Sequence, residues 1–571
     1  MFLQMNEKRS LMLAQIIIAA TIAALPALIG FLPAHTELYI LFTAYCLTLI
    51  FRLKNTQRME ITVFSAIISA LLGYALVSSL WIDNREGHLL YITGLGVVLI
   101  FSSLLADSFL GQNKETTARR FMYLFSFGGV LCAIANIFYW LFAIIPYGEN
   151  VKMSLGFGSS DFLSVFMFSC FCLAGNLIKG NSKIRKGIIL AFMLVMGFVF
   201  VMTASMVVWT MMFAFVLLCY IKGKKNNIFL TGSIVLNVLF FAFTAFFVLK
   251  GNEGIFSESF LYGIKSLFGK GGGYLSGKEL FVGATVHCKT TGLFAYLTAC
   301  SGAFGLIAAV LFVFVGYINF IKLKNYSSLF FLFLTALIMF LPFGGILTII
   351  LYSSVMVYNL CLSGVTVKKH IKKSEEFKIR RAITTLTILC FISVILLAGN
   401  FVRNFADSLY RNKEYGKAYE YYKAAASINL SDAQSCKGAA RALRRGKMLS
   451  ENKEEAINLI NNAIKREPDN LEHIKEKALI YKATGDYLKA AQQYRHAINR
   501  AMNDDEYNLL LSEVLYDLIK LYPKGSVESR EIYNEILLIA QNTENLDLRK
   551  QINDIADKAL AFKKGEIENV G

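Results

Sequence analysis

The sequence predicts an all-α protein, a polytopic helical membrane domain of about thirteen spans followed by a soluble α-solenoid. Three observations carry this expectation. The 571-residue chain is 56% hydrophobic with a mean hydropathy of +0.51, far too apolar for an ordinary globular protein. The apolar residues gather before residue 405, in stretches close to the roughly 20 residues that cross a bilayer. Beyond residue 404 the pattern changes to charged amphipathic helices with an internal repeat. The expected domains are therefore 1–404 in the membrane and 405–571 outside it.

The expected spans lie at 11–33, 38–52, 60–82, 89–106, 121–145, 155–178, 188–203, 206–221, 228–250, 291–320, 329–343, 346–365 and 383–404. MFLQMNEKRS leads into the first without a small-residue cleavage site, so no cleavable leader is expected. Alternate connections are basic: Lys8 and Arg9; Arg52, Lys54 and Arg58; Lys114, Arg119 and Arg120; Lys179 to Lys186; Lys222 to Lys225; Lys322 and Lys324; and KKHIKKSEEFKIRR. The connections between them (AHTE, DNREGH, PYGENVKM, TAS, LPFGG) are poor in Lys and Arg. By the positive-inside rule the amino terminus faces the cytoplasm, and the long loop 251–292 and the tail face outward. This register requires 188–221 to be a tight hairpin, because one span of that length would be too long. The basic loops also account for much of the net charge of +18, so no nucleic-acid partner is expected.

In the tail, IYKATGDYLKAAQQYRHAI sets Tyr481, Gly485, Tyr487, Ala490, Tyr494 and Ala497 at the small and aromatic positions of a tetratricopeptide unit. Ala456, Ala463 and Pro468 hold the same phases one repeat earlier, and Tyr415, Ala418, Tyr422 and Ala425 form a further copy slightly out of step. Small residues let paired helices approach and aromatics fill the gap between repeats. After residue 503 the helical pattern continues without clear repeat residues, as capping helices would.

The polar loop FGKGGGYLSGKELFVGATV ends at His287 and leads into the apolar GLFAYLTACSGAFGLI. A lone histidine near an interface can be structural. Here its company is chemical: GKGGG, Gly269–Gly273, allows backbone N–H groups close to an anion, and Lys265, Lys270, Lys278 and Lys289 stand nearby. The set suits a phosphate-bearing substrate at a membrane surface; the alternative is a loop with solvated lysines. Asp161, in GFGSSDFLS, lies close to membrane depth and either faces a cavity or caps the sixth span. His35 and His88 are also outward, but no His, Asp or Glu cluster has metal-ligand spacing and no Walker loop follows a strand. The ten cysteines are scattered, mostly inside spans, which argues for small buried residues rather than disulfides or metal. Neither metal nor nucleotide cofactor is expected. Beyond Asp161 the spans offer little of the charged or broken-helix character of a transporter.

Five stretches follow in order: SSLWIDNREGHLLYI, with Trp81 to His88; SLGFGSSDFLSVFMF, with Asp161; TASMVVW, Thr203–Trp209; FGKGGGY; and VHCKTTGLFAYLTACSGAFGLI, with His287, Gly302 and Gly305. In these motifs and in its layout the chain resembles the O-antigen ligase and polymerase superfamily of bacterial membrane glycosyltransferases, some of which carry tetratricopeptide tails. The resemblance implies a multi-pass protein of the bacterial inner membrane with a periplasmic tail. It implies transfer of an undecaprenyl-pyrophosphate-linked glycan to a lipid or glycan acceptor, in surface polysaccharide synthesis such as that of lipopolysaccharide. His287 would be the general base, Lys265, Lys270, Gly271 and Gly273 would hold pyrophosphate charge, and Asp161 would line the site. The tail would recruit a periplasmic protein partner. The match departs at Met206, where the family usually has Arg, in the absence of Arg between Gly251 and Gly292, and at Cys288. Lysines supply charge without the bidentate fork of a guanidinium. Other cations have therefore taken over, or activity is reduced and the chain acts as a scaffold. Protein O-glycosylation is a further alternative.

Overall fold

The computed structural model describes residues 2–24, 36–56, 59–80, 85–110, 114–144, 160–177, 182–203, 293–323, 335, 346–363, 366–369, 376–430, 432–468, 470–499 and 505–564. They are helical apart from one ribbon of two four-residue strands. They divide into two units, one within residues 1–397 and the other chiefly 398–571. The change falls inside a single long helix.

The first unit contains α1 (Phe2–Ala23), α2 (Thr36–Thr56), β1 (Met59–Thr62), α3 (Val63–Ser78), α4 (Arg85–Leu110), α5 (Lys114–Tyr139, ending in a π turn at Trp140–Ile144), α6 (Ser160–Leu177), α7 (Lys183–Met202), α8 (Leu293–Leu323), α9 (Ile346–Ser363), β2 (Thr366–Lys369) and the start of α10 (Glu376–Arg411). Five of the described helices are long and apolar enough to cross a membrane: His88–Asp107, Arg119–Phe142, Lys183–Met202, Cys300–Leu323 and Ile379–Arg411. Helix is the form such runs must take in lipid, since it satisfies each backbone group within the segment. The expected spans at 206–221 and 228–250 lie outside the described residues, as does nearly all of 329–343.

Helix packing in this unit depends on small residues. A Cβ on Gly128 of α5 would overlap the Ile22 carbonyl oxygen and stand 2.9 Å from Ala23 Cα, so α5 crosses α1 backbone to backbone. The next residue, Gly129, would meet Cys170 Cβ at 2.6 Å and Met196 Sδ at 2.7 Å, which brings in α6 and α7. Two adjacent glycines thus serve three helix contacts, the use that lipid-embedded bundles make of small residues. At the other end of the bundle, Arg52 of α2 donates from Nε to Asp107 Oδ2 of α4 at 2.8 Å and from Nη1 to Ser10 Oγ of α1 at 3.1 Å. Ser393 of α10 reaches α2 through the Thr43 hydroxyl at 3.0 Å and the Tyr39 carbonyl at 3.2 Å. The ribbon pairs β1 and β2 antiparallel, Met59 opposite Lys369 and Thr62 opposite Thr366, joining segments about 300 residues apart.

The second unit contains the end of α10, then α11 (Tyr415–Ile428), α12 (Ala433–Arg445), α13 (Leu449–Arg466), α14 (Leu471–Ala483), α15 (Tyr487–Ile498), α16 (Asp505–Ile519), α17 (Val527–Asn542) and α18 (Leu546–Lys564). Each helix packs on the next. Ala418, Ala425, Ala456, Ala463, Ala490 and Ala497 are fully buried, as close helix pairs require. Tyr422 lies over Gly438, where a Cβ would stand 2.6 Å from its ring. Side chains Asp432, Asn470 and Ser526 cap α12, α14 and α17 by accepting from Ser435, Glu472 and Ser529 N–H groups. Left-handed turn residues recur at Lys413, Lys447, Gly485 and Gly525.

Five ion pairs between helices of this unit share one interval. Lys423 pairs with Glu455 at 2.8 Å, Arg444 with Glu476 at 2.6 Å, Lys453 with Asp486 at 2.6 Å, Lys475 with Glu506 at 2.6 Å and Lys482 with Glu513 at 3.1 Å. Every partner lies 31 to 33 residues further on, so each cation reaches the helix two places ahead of its own.

Candidate functional site

The most chemically distinctive place among the described residues of the first unit is a break inside α8. Gly302 has φ 55° and ψ −135°, outside helical space and strained for any residue with a Cβ. Three residues later, a Cβ on Gly305 would overlap the Leu297 carbonyl and stand 3.1 Å from the Thr298 nitrogen. In a straight helix residues eight apart are separated by about 12 Å along the axis. The chain therefore folds sharply back at Gly302, and 293–301 lies against the start of the following half-helix. Both glycines of SGAFG are required by this geometry, the first by its dihedral angles and the second by the close approach.

Buried polar groups of two helices meet at the break. Tyr91 of α4 and Ser301, next to Gly302, share a hydrogen bond of 2.9 Å between their hydroxyls. Tyr91, Thr298, Cys300 and Ser301 are buried. His88, one turn before Tyr91, is buried at the junction of α3 and α4; its Nε2 lies 2.8 Å from the Ala75 carbonyl oxygen and 3.4 Å from Ser78 Oγ. The 2.8 Å contact to an acceptor-only carbonyl assigns the ring proton to Nε2. On the flank of the break, Tyr74 of α3 stacks on Phe304, with ring centroids 4.7 Å apart.

A second meeting point joins α6 and α7. Thr203, at the C-terminus of α7, donates to Ser164 Oγ at 2.9 Å, and both side chains are fully buried. Ser164 lies one turn after Asp161, the second residue of α6. Ser164 of GFGSSDFLS and Thr203 of TASMVVW thus meet at one end of two adjacent helices. The Asp161 side chain itself is outside the described set.

Of the residues expected to carry chemistry, His287, Lys265, Lys270, Gly271 and Gly273 lie outside the described residues, within 204–292. The structure corrects one expectation: the spans were read as having little broken-helix character, and α8 is broken at Gly302. The signal was present in the Gly302–Gly305 spacing, but without knowledge of the backbone such a pair also fits ordinary close packing. Tyr91 was missed as a partner because its contact to Ser301 spans 210 residues.

Among the described residues no group of three or more His, Cys, Asp or Glu stands close enough to hold a metal ion. A broken helix offers different chemistry. Its break exposes backbone N–H and carbonyl groups that have lost intrahelical partners, and the new N-terminus carries partial positive charge. Inside a membrane such backbone persists only where protein buries it or where it lines a cavity. No family model matches the chain, and no curated protein matches it either.

Proposed function

We propose that the protein is a metal-independent glycosyltransferase of the O-antigen ligase and polymerase kind, acting on a polyprenyl-pyrophosphate-linked glycan at the outer face of a bacterial inner membrane. The observation that carries this reading is the break at Gly302 and Gly305. It lies in the helix directly after the polar loop of His287, and its partner Tyr91 comes from the SSLWIDNREGHLLYI stretch. Motifs that were loose when taken singly are held in contact in two pairs. The start of the second half-helix of α8 supplies partial positive charge near the membrane surface, suited to the pyrophosphate of the donor. The acceptor hydroxyl attacks the anomeric carbon, His287 removes its proton, and the lipid pyrophosphate leaves with its charge held by Lys265, Lys270 and the loop glycines. The leaving group already carries the activation, so the reaction as proposed is written without nucleotide or metal.

The β1–β2 ribbon supports the proposed topology. Two segments that pair as strands lie on one side of a bilayer, so an even number of spans separates Thr62 from Thr366. With the third span starting at Val63, after the strand that takes the first residues of the expected 60–82, ten of the thirteen proposed spans lie between them, whereas fusing 188–221 into one span would leave an odd number. The end of α7 at Met202, followed by a capping turn at Thr203, supports the same split. In the tail, the recurring 31–33-residue ion-pair interval and the left-handed turns support a tetratricopeptide-like α-solenoid, and the proposed topology sets it in the periplasm. The test is a transfer assay in proteoliposomes with a polyprenyl-pyrophosphate oligosaccharide. Loss of product in His287→Ala and in Gly305→Ala, with Gly73→Ala active, is the expected result. An unchanged product ladder in His287→Ala would remove that residue as the base.

The break also favours a second reading, movement of the lipid-linked glycan across the bilayer, because discontinuous helices mark transport sites. Transbilayer movement of a fluorescent donor without covalent product would select it.

A further inference from the structure

The second unit has an apolar edge at the level where α10 leaves its apolar run. In α10 the residues Phe401 and Phe405, one turn apart, are both exposed, and further back on the same helix Ile388, Phe391 and Ile395 are exposed as well. The opposite face is polar and buried: Arg403 donates from Nη1 to Asp432 Oδ1 at 3.1 Å, and Asn400 is buried beside it. Helix α11 runs back along α10, so that its end meets Gly399, where a Cβ would stand 3.2 Å from Asn429 Cβ and 3.4 Å from Ile428 Cγ2. The turn after α11 presents Leu430, 75% exposed, together with Ile428; Tyr421, one face of α11, is exposed and packs edge-on against Phe405 at 4.8 Å. The exposed cations Arg411 and Lys413 stand beyond this patch, about 18 Å along the axis from Gly399 to Arg411.

We propose that this edge is a lipid-docking surface: Leu430, Ile428, Tyr421, Phe401 and Phe405 enter the interfacial layer of the bilayer that α10 crosses. The argument is continuity. The exposed apolar stripe of α10 runs without a break from Ile388 to Phe405 and passes directly onto Tyr421, while at the same level Arg403 is turned inward and paired with Asp432. Along α10 from Ile388 onward, exposed charge appears only beyond the patch, as it would above a headgroup layer. Aromatic residues at this position fit the amphipathic interface, and a loop carrying two aliphatic residues adds burial of the kind that holds peripheral helices about 5–10 Å into it. The seat fixes the height of the first tail helices relative to the bilayer, whichever leaflet they face.

The test places the photoreactive residue benzoylphenylalanine at Leu430 in the full chain, reconstituted into phosphatidylethanolamine and phosphatidylglycerol vesicles. The same probe at Leu546, 76% exposed at the start of α18, serves as the comparison. A phospholipid adduct at 430 at least about fivefold above that at 546 is expected for a side chain seated in the interface. Equal yields at the two positions would overturn the proposal, as would an adduct from 430 to protein, whether a second copy or another chain. Leu430→Trp provides an independent reading: brominated phospholipid must quench it beyond the quenching of Trp81, Trp140 and Trp209 measured in the unsubstituted protein. Absence of that added quenching also overturns it.

Discussion

Gly305→Ala is the sharpest probe of the break in α8. The new methyl group would overlap the Leu297 carbonyl oxygen and carbon and stand 3.1 Å from the Thr298 nitrogen. All three are backbone atoms, so no rotamer change relieves the overlap. Either 293–301 swings away from the second half-helix, losing the Tyr91–Ser301 hydrogen bond of 2.9 Å and the burial of Thr298 and Cys300, or the strain is retained. Overpacking of this kind costs about 1–3 kcal/mol, and the buried hydrogen bond adds about 1 kcal/mol, for a loss of roughly 3 kcal/mol. Gly73→Ala is the natural comparison, because a Cβ there meets nothing within 4 Å. It should be neutral or stabilising by up to about 1 kcal/mol, from improved helix propensity. Unfolding of the detergent-solubilised protein by sodium dodecyl sulfate, followed by circular dichroism, measures both. If Gly305→Ala behaves like Gly73→Ala, α8 runs straight past Gly302 and the site built on its break is wrong.

Removing one partner of the Arg52–Asp107 pair leaves a charge in an apolar surrounding, so Arg52→Ala should destabilise by about 3 kcal/mol and Arg52→Leu with Asp107→Leu by distinctly less. The same denaturant titration decides this, and equal losses in the single and double variants would show that the pair is not coupled. In the tail, the hydrogen bond from Lys423, joined by that from Tyr419, holds the Glu455 carboxyl below its ordinary value, and the bond from Lys453 does the same for Asp486. Such carboxylates stabilise the fold fully above the unfolded values of about 4, and their contribution is lost as pH falls through the lower folded values. Hydrogen-exchange protection of α11 to α15, taken relative to the intrinsic exchange rate at each pH, should therefore fall below about pH 4 and be flat between about pH 5 and 7. Because both pairs are substantially exposed, added salt should reproduce part of the effect at neutral pH.

Legibility differed between the two halves for a physical reason. In the tail, period and burial are local properties. Ala456, Ala463, Ala490 and Ala497 were read from spacing alone, and each is fully buried. The five cross-links at one interval were not read, because Lys, Arg, Asp and Glu are abundant on every helix and only the stacking distance selects among them. In the first unit, helices followed from hydropathy, but the ribbon did not: MEIT and TVKK are too short and too far apart to announce a pairing. His88 illustrates the limit for the site. It was noted as outward and dismissed for lack of a ligand cluster, while its significance lies in a carbonyl contact to Ala75 and in the position of Tyr91 one turn on.

The departures from the resembled family bear on how charge is managed. A guanidinium fork fixes both the place and the direction of a pyrophosphate, and this sequence has Met206 and an arginine-free loop where two such forks are usual. A lysine replaces the charge but leaves direction unspecified. A half-helix that begins at Gly302 supplies direction, since its N–H groups point along a fixed axis and cannot rotate. Its strength is smaller, equivalent to about half an elementary charge, so it complements a mobile ammonium rather than replacing it. Under the proposed function, rigid backbone and flexible lysine divide the work of two arginines. The division has a measurable consequence in the transfer assay. Lys270→Gln should raise KM for the pyrophosphate donor more than it lowers kcat, whereas Gly302→Ala, by misdirecting the donors, should act chiefly on kcat.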